Sequence, residues 1–215
     1  MKIIVTTSNA YHHLIPVFAY LFNKNWPGEQ VELVGYDEPA NLPDNFKFSS
    51  LGKQGTVNEW STDLRRFFEA QEDDWFIWMM EDTLIKSVDQ DRLLDCYALM
   101  MPGVGRIGLT KDIQNREHRV TPGGIIYAHP ESKYRLSTQP SIWNKEFLLQ
   151  YMTDGLSPWD YEKQETKDEW HVVTTDEPAV KHNEGVTKKD IYKLDLNGLS
   201  EEEVNHIKTI ATWLK

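Results

Sequence analysis

Two carboxylates, Glu81 and Asp82, close an unbroken apolar run, Trp75-Phe-Ile-Trp-Met-Met80. Hard cations such as Mg2+ and Mn2+ take carboxylate oxygens, and need only one or two of them when a diphosphate supplies others. A pair at the end of a buried strand suits that task, although Asp82 or Thr83 would equally serve as a helix cap. Thr6-Thr7-Ser8 with Tyr11 offers hydroxyls, backbone amides and a ring that a nucleotide can use, or ordinary turn chemistry. Ser157-Pro-Trp-Asp-Tyr-Glu162 carries two carboxylates, Asp160 and Glu162, of the kind that take a proton from a hydroxyl. Trp159 just before them is a platform for a sugar ring, and the alternative is an acidic helix start that complements the dipole. His182 precedes Lys188-Lys189 in a loop-like segment. Its imidazole can complete a metal shell and the lysines can neutralise phosphate, or all three are simply solvated. No Gly-x-Gly-x-x-Gly or P-loop pattern is present, and no Ser/His/Asp or Cys/His set stands out.

The elements that must position these residues alternate in the first half of the chain. Lys2 to Thr7 reads as a strand, and Leu14, Val17, Phe18 and Leu21 then recur at helical spacing, with Pro16 in the first turn. Gln30–Tyr36 and Phe46–Phe48 are strands, and Trp60, Leu64, Phe67 and Phe68 form an amphipathic helix. Trp75–Met80, without alternation, predicts a strand buried on both faces. Another helix follows over Leu93–Met101, then a strand from Arg106 to Thr110. Lys111–Thr121 reads as a basic, mobile excursion, and Ile125–Tyr127 with Tyr134–Ser137 as a pair of strands. Helices are expected from Trp143 to Tyr151 and from Ser157 to about Glu169. His171–Thr175 is a strand, Ala179–Lys193 irregular, and Ser200-Glu-Glu-Glu203 the capping box of a last helix. This pattern gives a single α/β domain with a doubly wound half.

Composition narrows the function. The 215 residues carry 23 basic and 34 acidic side chains, a net charge of −11. Nucleic-acid binders usually show a basic footprint, so the balance opposes a dedicated one while allowing a local groove. Arg106, Lys111, Arg116, His118, Arg119, Lys133 and Arg135 are candidates to line such a groove. Eight Trp, nine Tyr and eight Phe are a surplus that suits stacking on flat ligands as well as core packing. The single Cys96 cannot form an internal disulfide, the N-terminus turns polar too soon for a leader, and no apolar run spans a membrane. The expectation is a cytoplasmic protein without a membrane partner.

The order of several short stretches resembles the small GT-A-type glycosyltransferase-like proteins of bacteria and their phages. They are Tyr11 to Trp26, Leu51-Gly-Lys53 with Trp60-Ser61, Met80-Glu-Asp82, Arg135-Leu-Ser-Thr-Gln-Pro-Ser-Ile-Trp143, and Ser157 to Glu162. The resemblance implies a GT-A-like (Rossmann-like) fold with a mixed, mainly parallel sheet flanked by helices. About 1–110 would be its nucleotide-binding half and about 111–215 its acceptor side. It implies a nucleotide-sugar donor, UDP-sugar favoured, a Mn2+ or Mg2+ ion, and transfer to a glycan, a small molecule or a hydroxymethylated base in phage DNA. Asp82 would be the metal ligand and Glu81 a ribose or metal contact. Thr6, Ser8, Tyr11 and Trp60 would touch the nucleotide, Gln139 and Trp143 the sugar, and Asp160 or Glu162 would be the base. The family's metal motif is usually Asp-x-Asp, and Thr83 stands here where a second aspartate is expected. A non-catalytic nucleotide-sugar or glycan-binding module is therefore the alternative.

Overall fold

The computed structural model describes residues 1–183 and 196–211. In chain order the elements are β1 (Ile3–Thr6), α1 (Ile15–Asn25), β2 (Val31–Gly35), β3 (Phe46–Ser50), α2 (Trp60–Glu69), β4 (Trp75–Met80) and β5 (Leu84–Val88). Next come α3 (Gln90–Tyr97), β6 (Val104–Gly108), β7 (His118–Val120), β8 (Ile126–Ala128), β9 (Ser141–Asn144) and α4 (Lys145–Tyr151). The chain closes with α5 (Pro158–Glu162), β10 (His171–Thr174), β11 (Val180–Asn183) and α6 (Glu201–Ile210). One sheet has the order β3-β2-β1-β4-β9-β6-β10-β8-β7, and β5 and β11 form a separate pair. In the large sheet only β9 and β8 run against the rest. It is the mixed, mainly parallel sheet flanked by helices that the alternation predicts.

Period-two alternation sorts the core. In β1 and β4, Ile3, Val5, Ile77 and Met79 point to one face, against α1, Leu93 and Cys96 of α3, and Ile207 of α6. Ile4, Phe76 and Trp78 point to the other, against Trp60, Leu64 and Phe68 of α2, Phe147 and Leu148 of α4, and Tyr161 of α5. Both faces of β4 are covered, which is why its sequence shows no alternation. Each of these large side chains contributes about 1.5–3 kcal/mol on burial.

The chain builds β1, β2 and β3 outward on one side, then crosses back to lay β4 on the other side of β1. The order reverses between β1 and β4, and ligands of open α/β sheets bind outside the strand ends at such a switch point. Thr6 pairs with Met80 there, so Thr7-Ser8 and Glu81-Asp82 leave the sheet side by side.

The second half corrects five expectations. Trp143 lies in β9, between β4 and β6, opposite Phe76 and Arg106 rather than in a helix. Asn144 caps α4 only after it, accepting from Phe147 N at 3.2 Å. Tyr134–Ser137 is a turn with Tyr134 at φ 62°, and β8 pairs with β7 inside the supposed excursion. α5 stops at Glu162, and Val180–Asn183 is a strand on β5. Among the described residues no helix is long and apolar enough to cross a membrane.

Candidate active site

Glu81 is the focus of the β1/β4 edge. Its backbone N–H donates to Thr6 O at 3.3 Å, which turns the side chain under the strand ends, where it is 2 % exposed. Thr7 nearby favours the charged form of the carboxyl, and Oε2 is buried with no hydrogen-bond partner. Burial first, and then the charge of Asp82, hold its carboxyl well above the usual range. A buried acceptor without a donor is costly, so this oxygen is built for a proton or a cation. Asp82 is pushed up to about 6, by burial and then by Glu162, against hydrogen bonding from its own backbone. Tyr11 is raised by burial, then by the nearby Glu81 and Asp82. The fields of Tyr11, Glu81, Asp82 and Glu162 therefore overlap at one place, from three stretches that the sequence singled out.

Glu162 arrives there through a rigid mount. Ser157 caps α5, its Oγ accepting from Asp160 N at 3.2 Å, while Asp160 Oδ2 takes the Ser157 hydroxyl at 2.6 Å. Tyr161, next along, is wholly buried against Trp60, Trp78 and Trp143. Glu162 Oε1 then accepts from both N and Oγ1 of Thr138, each at 2.7 Å. Residues 138–140 belong to the same edge, because β9 runs downward from it. Gln139 Oε1 is buried there without a partner. Beneath, Arg106 ties the loop to the sheet. It is fully buried and donates to Ser141 Oγ (2.9 Å), Arg135 O (3.2 Å) and Asp112 Oδ2 (2.6 Å).

On the other flank, Ser8 O accepts from Tyr11 N at 2.8 Å. Asn9 binds Gln54 Oε1 through its backbone (3.0 Å) and Asp37 through its side chain (2.6 Å), bridging the ends of β1 and β2. His12 Nε2 is buried without a hydrogen-bond partner, and burial lowers its pKa against the pull of Asp37.

Several expected contacts have other work. Thr6 takes the buried Trp78 indole N–H on its hydroxyl at 3.0 Å, which makes it a core anchor. Trp60 stacks on Trp78, with centroids 6.2 Å apart, and Trp143 is 0 % exposed, so the latter has no surface for a sugar. Asp160 is exposed and held below its ordinary pKa by the Ser157 hydroxyl, which is the signature of a cap rather than a base. His182 lies opposite Ile85 on β5. Among the described residues no three His, Cys, Asp or Glu side chains gather to hold a metal, so His182 is not assembled with the two carboxylates. Lys188 lies outside the described residues.

The basic residues named for a groove have mixed surroundings, with His118 and Lys133 exposed. Arg106 and Arg135 are buried, Arg116 and Arg119 lie over Tyr134 and Tyr127, and Lys111 pairs with Glu177. A cleft of about 780 Å3 lies between residues 130–134 and 163–168. It is lined by the segments that follow β8 and precede β10, the second of which begins at Lys163, next to Glu162. Sequence spacing gave no sign of the Thr138–Glu162 bond or the Arg106 anchor. The Ser-Pro-x-Asp cap signal was visible and marked the role Asp160 has.

No family model and no curated protein matches the chain. Among solved structures it is similar to the mannosyltransferase PcManGT of Pyrobaculum calidifontis in complex with GDP-Man and Mn2+. The identity is 14 %, over 80 % of this chain and 55 % of that one, with a TM-score of 0.43. Similarity to residues 1–349 of TarS from S. aureus is 13 % over 84 % of this chain and 59 % of that one, with a TM-score of 0.48. A cytidylyltransferase from Leptospira borgpetersenii gives 9 % over 99 % and 95 % respectively, with a TM-score of 0.46. The chain thus spans little more than half the length of the first two. Likeness at this level assigns no activity.

Proposed function

We propose that this protein is a GT-A-type glycosyltransferase that moves a sugar from a nucleoside diphosphate sugar to a hydroxyl of an acceptor. The observation that carries the reading is the buried, unpartnered Glu81 Oε2 beside Asp82 at the switch point of the sheet. Two carboxylates fit a Mg2+ or Mn2+ ion that completes its shell with diphosphate and water. Such an ion, when bound, would neutralise the charge that builds on the departing diphosphate. Asp82 and Glu81 would hold it.

The chain's own residues supply the rest. Ser8 and Tyr11 border the nucleotide on the β1 side, and Thr7 steadies Glu81. Glu162, with one oxygen already fixed by Thr138, keeps the other to orient the acceptor hydroxyl and receive its proton. Gln139, with its free amide oxygen at the same edge, meets the sugar. The acceptor is a carbohydrate or small molecule rather than DNA, because the net charge of −11 repels a phosphate backbone and two of the candidate cations, Arg106 and Arg135, are buried.

Calorimetry with UDP, GDP and CDP, with and without Mn2+, tests the donor site. Release of labelled sugar from the corresponding nucleotide-sugars tests turnover. Mn2+-dependent binding of one nucleotide with sugar release is expected. Binding without release in the presence of any acceptor would move the reading to a non-catalytic module, and absence of binding would end it.

A further inference from the structure

Four tryptophans, Trp26, Trp60, Trp78 and Trp143, are buried, but Trp159 is 57 % exposed. Its backbone is held on both sides. Ser157 and Asp160 close a capping box around it, Leu156 N donates to Ser61 Oγ at 2.8 Å, and Tyr161 is locked in the aromatic core. A large ring left in water on an ordered element is available to stack on a flat ligand. Trp159 and Glu162 are three residues apart on α5, and positions so spaced share a helix face. The indole therefore extends outward the surface on which Glu162 overlooks Asp82.

We propose that Trp159 is the stacking platform for the acceptor, and that the ligand it takes is a neutral carbohydrate presenting the flat C–H face of a pyranose ring. The inference rests on the transfer reading above. An indole also stacks on nucleic-acid bases, but charge decides between them. From Asp154 to Lys163 there are three carboxylates and one ammonium, and Asp82 adds to them, so a phosphate backbone is repelled. A polyol carries no charge to repel, and its hydroxyls can reach Glu162 while the ring lies on the indole.

The full-length protein, labelled with 5-fluorotryptophan and saturated with Mn2+ and nucleoside diphosphate, gives a direct test by fluorine NMR. Trp159→Phe identifies the Trp159 signal. Methyl glycosides of glucose, galactose, mannose and N-acetylglucosamine are titrated, and oligothymidylate is titrated separately. At least one glycoside should move the Trp159 signal. Saturation transfer to its ring protons should weaken by roughly two- to tenfold in Trp159→Ala, the size of one aromatic contact. Trp159→Ala should retain the parent's melting temperature and nucleotide affinity. A signal unmoved by every glycoside, or moved by oligothymidylate alone, overturns the proposal. Loss of nucleotide binding with the glycoside shift retained would refute the transfer reading and leave the platform standing.

Discussion

Asp82→Asn separates a functional carboxylate from a structural one, because the two roles give opposite signs. In the folded chain Asp82 is displaced from 3.8 to about 6. At about 1.4 kcal/mol per pH unit, keeping it ionised at neutral pH destabilises the fold by about 3 kcal/mol. Below the unfolded value both states are protonated and the residue contributes nothing. Between 3.8 and about 6 the unfolded chain has released its proton and the folded chain has not, so stability falls as pH rises. Above that range the penalty is constant. Asparagine keeps the shape and the acceptor but never ionises. The variant should therefore exceed the parent by about 2–3 kcal/mol near neutral pH, roughly 4–12 °C in Tm for a chain of this size, and equal it near pH 4. It should also lose the further rise in Tm that the parent gains from Mn2+ with a nucleoside diphosphate. Thermal denaturation followed by circular dichroism across the pH range, with and without those ligands, measures both. A variant less stable than the parent at neutral pH, or a difference independent of pH, would refute the reasoning.

Glu162→Gln should reduce transfer by roughly 10²–10⁴-fold with nucleotide affinity unchanged, as removal of a general base does. Ser157→Ala should instead lower stability by about 1 kcal/mol, as lost caps do, and a calorimetric melt reads the difference. Thr6→Val leaves the Trp78 indole N–H without its acceptor and should cost about 1–3 kcal/mol in urea denaturation. Its nucleotide affinity, read by calorimetry, should be unaltered. Arg106→Met strands Asp112 and should destabilise by about 3–5 kcal/mol. Arg106→Met/Asp112→Leu should recover part of that loss, measured as a double-mutant cycle.

The strand that carries Glu81 and Asp82 was legible because six large apolar residues in a row leave a strand covered on both faces as the simplest reading. The pairing of its end with that of β1 followed from the alternation of elements. Trp143 was misplaced because Trp143, Phe147, Leu148 and Tyr151 keep helical spacing although the helix starts only after Asn144. Its neighbour Ile142 is what marks the strand, and two apolar residues are too few to show it. The resemblance implies ligand contacts at Thr6 and Trp60. What they do depends on Trp78, which lies 72 residues beyond Thr6 in sequence. The grip of Thr138 on Glu162, across 24 residues, leaves no local trace for the same reason.

The late arrival of β9 has a consequence for how the molecule is made. β4 and β6 do not touch as sheet neighbours, and a strand encoded some way after both joins them through antiparallel pairs on each side. During synthesis β1 to β4 emerge first and find their partners locally. The outer edge of β4, with Phe76 and Trp78 on its way to the core, then stays bare until residues 141–144 leave the ribosome. An uncovered apolar strand edge recruits other chains, and long-range pairing of this kind is slow to form. Nascent chains that stall before Ser141 are thus the ones exposed to aggregation, and the closing strand is as much a condition of safe folding as of the finished sheet.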